Sequence, residues 1–323
     1  MTKLERIIIS FRPIHYLLQR SKKWILPGFE GVPMYEVLKF FAKQVKTQGL
    51  TERASAISYN FVMAIPPTCI FLFTLIPRLP FIPQSQIQAE IVRVINDIVP
   101  QKVHNEGLKI FVESFFAGDK IALISFGFVL SLFFASNAMM GLMRSFNKNY
   151  IGFEKRGGFR KRVIALKLTG LIFLMVLSCL ILLISQGSVL SWLGIKDNFL
   201  QNLIVYGRWL IIFALVFAAI GAIYRYAPST QKRWNIFTPG GLLATILSIV
   251  STIGFSVFVN NWSNYNALYD SIAILIVLMI LIYINSLVIL IGFEINVSIK
   301  SLSVMAEQRK KEEAVQSTIH AIT

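Results

Sequence analysis

The chain has 323 residues, of which 55% are hydrophobic and only 15% charged, with 32 Lys/Arg against 16 Asp/Glu and a mean hydropathy of +0.64. A soluble domain averages about 25% charged residues, so this chain lacks the polar surface to cover a globule in water. It reads as an all-α polytopic membrane protein, and its net charge of +16 is better explained by basic loops on one side of a bilayer than by a nucleic-acid partner.

The first 52 residues form a basic N-terminal region. Its opening, "MTKLERIIISFRPIHYLLQRSKK", has no small-residue cleavage site after a continuous apolar core, so no cleavable signal peptide is expected. Within it, Met34, Val37, Leu38, Phe41 and Val45 recur at helical spacing, with Lys39, Lys43 and Lys46 toward the other side. This predicts an amphipathic helix, either lying in the membrane interface with its lysines near anionic headgroups or capping the loops. Six apolar runs follow, at about 54–76, 121–143, 163–185, 203–224, 240–259 and 271–295. Each approaches or exceeds the roughly 20 residues needed to cross a bilayer. The six spans make up a transmembrane domain over 53–299, followed by a tail at 300–323. In the connection 77–120, a second stripe of Ile87, Ile91, Val94, Ile95 and Ile98 predicts a helix over 84–98.

Charge orients these spans. Residues 1–53, 144–162, 225–239 and the tail hold twenty-four Lys/Arg, against six in 77–120, 186–202 and 260–270. The basic side is expected to be cytoplasmic, and both termini with it. The segment "NNWSNYNALYDS" at 260–271 carries no Lys or Arg because it falls on the opposite side. The two cysteines, Cys69 and Cys179, lie inside apolar runs and read as small core hydrophobes.

Polar residues inside the spans are the candidates for function. Pro66 and Pro67 near the middle of the first span predict a kink or break, because each removes a backbone donor and obstructs the preceding turn. Such a break either lines a substrate path or only shapes packing. Tyr59, Asn60, Asn137 and Asn285 join the prolines as pathway candidates, with interhelical bonding the alternative use of the two lone amides. Arg208, a turn or two into the fourth span, either snorkels or pairs with Asp270 at the start of the sixth. Arg53 and Glu294 meet the same boundary on the basic side and form a second candidate pair. The three histidines are far apart, and neither HExxH, zinc-spaced Cys/His, Walker loop nor nucleophile elbow is present. No metal, cofactor or enzymatic activity is expected.

Two stretches resemble the YihY/BrkB family of bacterial inner-membrane proteins. The early one is "RASAISYNFVMAIPP", Arg53 to Pro67. The late one spans 224–299 and combines Tyr-x-x-x-Pro, a Pro-Gly-Gly helix start, the Asn/Tyr loop and Gly-x-Glu-x-Asn. The resemblance implies a six-helix inner-membrane architecture and a structured external element of Asn261, Asn264, Tyr265, Tyr269 and Ser271. Where the family pattern has Gly after the second tyrosine, this chain has Asp270, placed to cap the sixth helix. Members of the family carry ribonuclease, virulence and transporter labels. The ribonuclease label lacks the metal-binding His/Asp cluster a metallo-RNase needs. The expectation is a transporter or lipid-flippase-like protein without its own ATPase, acting on an anionic or lipidic substrate, with membrane lipids and their anionic headgroups as partners. A non-transporting structural or regulatory envelope protein is the alternative, and a membrane-embedded hydrolase the third. A polar cavity continuous between spans 1, 2, 5 and 6 would favour transport.

Overall fold

The computed structural model describes residues 20, 22, 24–75, 121–147, 153, 156–184, 198–230, 233–261 and 270–322. Among these, seven helices carry the fold: α1 Met34–Thr47, α2 Leu50–Leu75, α3 Ile121–Phe146, α4 Gly158–Ile184, α5 Asn198–Tyr226, α6 Pro239–Asn261 and α7 Asp270–Ile322. Helices α2 to α7 are long and apolar enough to cross a membrane. In an apolar medium a helix bonds its own backbone groups, so a long apolar run has little alternative to this form. The predicted helix at 84–98 lies outside the described residues.

Each of the six long helices packs against its chain neighbours, and α7 returns to pack against α2, so they close into a ring. The core gathers at the end where the basic loops meet. There Leu50, Ala54 and Ile57 of α2, Leu142 and Phe146 of α3, Tyr224 of α5 and Phe293 of α7 are buried together. Phe293 stacks on Phe146 with ring centroids 4.0 Å apart, and on Trp234 at 5.6 Å. Outward stripes such as Leu242, Ile246, Val250, Ile253 and Val257 of α6 remain exposed, one residue per turn along a single face.

Helix α1 buries its stripe on protein. Val37 is buried with Ile295 and Ile299 of α7, and Met34 and Phe41 pack around them, while Leu38 stays exposed. Helix α1 is thus docked on α7 along this face. Its lysines 39, 43 and 46 point outward.

Helix α2 runs as one helix through Pro66 and Pro67, so of the expected kink or break, the break is absent. Pro tolerates helical φ, and the donors it lacks would have bonded only the carbonyls of Val62 and Met63. Opening the chain there would strand further backbone groups in apolar surroundings, at several kcal/mol each by order of magnitude. Helix α7 runs past the sixth apolar run and on through the tail. It continues to Ile322 for 53 residues, about 80 Å at 1.5 Å per residue. Its last part, "AEQRKKEEAVQ", is built from strong helix formers and places Glu307 before Lys311 at i,i+4.

Candidate functional site

Three polar constructions meet at the basic end of the ring. The first joins α2, α3 and α7. Arg53 donates through Nη1 to Glu294 Oε1 at 2.5 Å and through Nη2 to the carbonyl of Ser145 at 2.6 Å. Both side chains are buried, with 6% and 0% exposure. Ser145 lies in the last turn of α3, whose carbonyls have no intrahelical donor. One guanidinium therefore neutralises a buried carboxylate and caps a helix end.

The second construction starts α6. Thr238 accepts from the amide of Gly241 at 3.1 Å, and Asn296 Oδ1 accepts from the amide of Gly240 at 2.9 Å. Asn296 Nδ2 donates back to Thr238 Oγ1 at 3.0 Å. Pro239 at the first helical position has no N–H to satisfy. Helix α6 crosses α7 backbone to backbone: a Cβ on Gly240 would land on the Gly292 carbonyl, and one on Gly292 would meet the Gly240 carbonyl and, 2.6 Å away, the Tyr224 hydroxyl. At 100° per residue, Gly292 and Asn296 share one face of α7 and Glu294 turns to the other. The Gly-x-Glu-x-Asn pattern is thus one helix end serving two neighbours, α6 with its first and last residues and α2 with its middle one.

The third construction seals α5. Arg156 donates to the carbonyls of Tyr226, Ala227 and Pro228, the last at 2.6 Å. Asn147 Oδ1 accepts from both the amide and the hydroxyl of Ser229 at 2.8 Å. Phe153 and Thr230 form an isolated β-bridge. The hydroxyl of Tyr224 donates to the Ile289 carbonyl at 2.6 Å.

The pathway candidates are dispersed among these contacts. Asn137 accepts from Arg162 of α4 at 2.5 Å. Asn285 accepts from Ser248 of α6 and donates to Thr252 Oγ1 at 3.4 Å and to the Leu281 carbonyl at 3.0 Å. Both amides are taken up in contacts between helices. Asn60 donates to its own helix at Ala56 and lies against Gly141 of α3. Tyr59 is 63% exposed on the outer face, away from any shared interior. Asn264, Tyr265 and Tyr269 lie outside the described residues. Asn261, Asp270 and Ser271 sit at helix ends, but their side chains and that of Arg208 fall outside what is described, and with them the Arg208–Asp270 pair.

The roles of Tyr224, Thr238, Asn296, Arg156 and Asn147 were not foreseen. Thr-Pro-Gly-Gly carries a readable helix-start signal. Nothing local marks its partner Asn296, 56 positions on in the chain.

A groove of about 350 Å³ lies between α2, α3 and α4, lined by Phe61, Ala64, Thr68, Ala135, Thr169 and Phe173 among others. Along α2 it begins about 12 Å from Arg53 and ends about 28 Å away, counting 1.5 Å per residue. It is almost wholly apolar and half open to the surroundings. Thr68 and Ser131 turn their hydroxyls back onto their own helices. Thr169, 7% exposed, has a buried hydroxyl with no hydrogen-bond partner. Pro67 is buried on the adjoining turn and Pro66 is exposed. Among the described residues, the basic end of the space between spans 1, 2, 5 and 6, where a polar cavity would have favoured transport, is filled by Phe146, Tyr224, Phe293 and their neighbours. Among the described residues, no three His, Cys, Asp or Glu side chains are grouped to hold a metal.

Comparison with known proteins covers nearly all of this architecture. A ribonuclease-like protein of Bacillus subtilis, YfkH, is 28% identical over 269 residues, covering 80% of this chain and 92% of the relative. A UPF0761 membrane protein of Coxiella burnetii is 22% identical over 262 residues, covering 79% and 90%. A UPF0761 membrane protein of Vibrio cholerae is 28% identical over 120 residues, covering 36% and 39%. No solved structure matches the chain. The family model described as Virulence factor BrkB matches residues 41–318. That match runs from α1 into the extension of α7 and takes in the Arg53–Glu294 pair, the α6 start and the groove, so this multi-pass integral membrane protein belongs to the BrkB family.

Proposed function

We propose that the protein is a flippase-like transporter of the bacterial inner membrane that moves a lipidic, anionic substrate, with both termini in the cytoplasm and no enzymatic step of its own. The observation that carries this reading is the groove between α2, α3 and α4. Its apolar lining suits an acyl chain and penalises a hydrated solute, whose polar groups would lose water without replacement. Its open side allows entry from the bilayer, and the unpartnered Thr169 hydroxyl offers a hydrogen bond to an ester or headgroup oxygen. The twenty-four basic residues on one side support a cytoplasmic orientation for that side.

The packing of the basic end favours a second reading, a non-transporting structural or regulatory membrane protein. Reconstitution separates the two. Vesicles holding the purified protein and a headgroup-labelled phospholipid should expose inner-leaflet label to a membrane-impermeant quencher faster than empty vesicles. Ala135→Trp, which fills the groove, should slow this exposure, and Leu210→Trp on the exposed face of α5 should not. Identical rates with and without protein would overturn transport in favour of the structural reading.

A further inference from the structure

A second cavity, of about 280 Å³, opens at the basic end beside the start of α6. It is distinct from the groove in place and in chemistry. Glu30, Arg233, Trp234, Asn235, Phe237 and Lys300 are among its lining residues. Lys300 Nζ lies 3.0 Å from Glu30 Oε2, and Arg233 sits over the Tyr226 ring at 5.5 Å. Two cations against one carboxylate leave the lining with one net positive charge. The amides of Gly240 and Gly241 are already bonded to Asn296 and Thr238, so anion recognition falls to Arg233 and Lys300. Arg233 supplies a planar set of donors and Lys300 a mobile point charge.

The surroundings of this cavity specify the rest of the ligand. Phe237 at its edge is 82% exposed and packs on Phe217 at 5.4 Å. From it the exposed stripe Leu242, Ile246, Val250 runs up α6. A cationic hollow at the foot of an apolar, membrane-facing stripe matches a molecule with an anionic head and a hydrocarbon tail. The volume falls near the lower end for ligand pockets, enough for a headgroup and not for a whole lipid. We propose that this cavity binds the phosphate-bearing headgroup of an anionic phospholipid, held by Arg233 and Lys300, with an acyl chain lying along Phe237 and the α6 stripe. The site requires the membrane setting but not translocation, so its failure and that of the transport reading are separable. Lipid movement without headgroup selectivity would sink only this site, and selective binding without movement would sink only transport.

The test is calorimetric titration of the full-length protein, in neutral detergent, with short-chain phosphatidylglycerol, short-chain phosphatidylcholine and inorganic phosphate. Phosphatidylglycerol should bind more tightly than phosphatidylcholine. Arg233→Gln or Lys300→Gln should weaken it about five-fold each, the scale of one basic residue at an anionic lipid surface. The double variant should weaken it about twenty-five-fold if the two act independently. Asn235→Asp, at an exposed position, places a carboxylate in the lining without removing a cation and should weaken it likewise. Phe237→Ser should weaken both lipids. Equal loss in a Lys310→Gln, Lys311→Gln control on the α7 extension would reduce the effect to general surface charge and overturn the site. Inorganic phosphate binding as tightly as phosphatidylglycerol would overturn the lipid assignment, because the chain along α6 would then contribute nothing.

Discussion

The buried Arg53–Glu294 pair offers the most direct test of how the ring is held together. At an N–O separation of 2.5 Å, the gross attraction is about 7 kcal/mol at an effective dielectric constant of about 20. Withdrawing each charge from water costs several kcal/mol, which cancels much of that gain. The pair is therefore worth little against an apolar replacement of similar size, but removing one partner strands the other. Arg53→Met should destabilise the folded protein by about 3–5 kcal/mol, with about 1–3 kcal/mol more because the Ser145 carbonyl loses its donor. Glu294→Leu should cost about 3–5 kcal/mol. The double variant should recover most of this, retaining a loss of about 1–3 kcal/mol from the orphaned carbonyl. The measurement is a double-mutant cycle on unfolding in mixed detergent micelles, followed by tryptophan fluorescence. Additive single effects, or single losses below about 1 kcal/mol, would show that the pair does not join α2 to α7 energetically.

The other contacts at the basic end predict smaller and more graded effects. Asn296→Ala removes the acceptor for the Gly240 amide and should cost about 1–2 kcal/mol in the same unfolding assay, within the range for a lost helix cap. Gly292→Ala drives a Cβ into the Gly240 carbonyl and should cost about 1–3 kcal/mol or more, because a backbone cannot move aside as a side chain can. Gly254→Ala, with open space around it, should be neutral or stabilising by up to about 1 kcal/mol. In a background free of Cys69 and Cys179, single cysteines at positions 158, 264 and 315 test orientation. An impermeant thiol reagent outside spheroplasts should reach 264 alone, and labelling at 158 would invert the proposed topology.

What could be read from the chain follows from the range of each signal. The six long helices were legible because the membrane constrains length and polarity locally, so runs such as "LLATILSIVSTIGF" identify themselves. The stripe of α1 was equally plain, but periodicity states which side is apolar and not what covers it. The membrane interface and the loops were the two coverings considered, and Val37 packs instead with Ile295 and Ile299 of α7. At Pro66 and Pro67, where a kink or break was expected, the break is absent because a local rule, that proline disfavours a helix interior, met a larger cost, that of unbonded backbone in an apolar setting. Arg53 and Glu294 were paired from their matching depth, an inference the membrane makes possible by ordering residues along one axis. Asn296 and Thr238 had no such aid, since a side chain capping a distant helix leaves no periodic trace.

These contacts also bear on where the molecule can move. At the basic end, α2, α3, α5, α6 and α7 are tied by an ion pair, shared helix caps, a glycine crossing and stacked rings. Separating α2 from α7 would leave a charge unpaired, and separating α6 from α7 would leave the Gly240 amide unbonded. The groove lies farther along α2, α3 and α4, where Thr68 and Ser131 bond only to their own helices, the Thr169 hydroxyl has no partner, and the lining is otherwise almost wholly apolar. Parting α2 from α4 there loses contact area without stranding a charge. Under the proposed transport reading, the opening would be lateral, between α2 and α4, with the basic end closed, and lipid would exchange from the bilayer side and not along a central pore. Cross-linking α2 to α4 across the groove should therefore block lipid movement, whereas cross-linking α2 to α7 near Arg53 and Glu294 should leave it unchanged. The reverse pattern would place the moving joint at the basic end and refute this assignment.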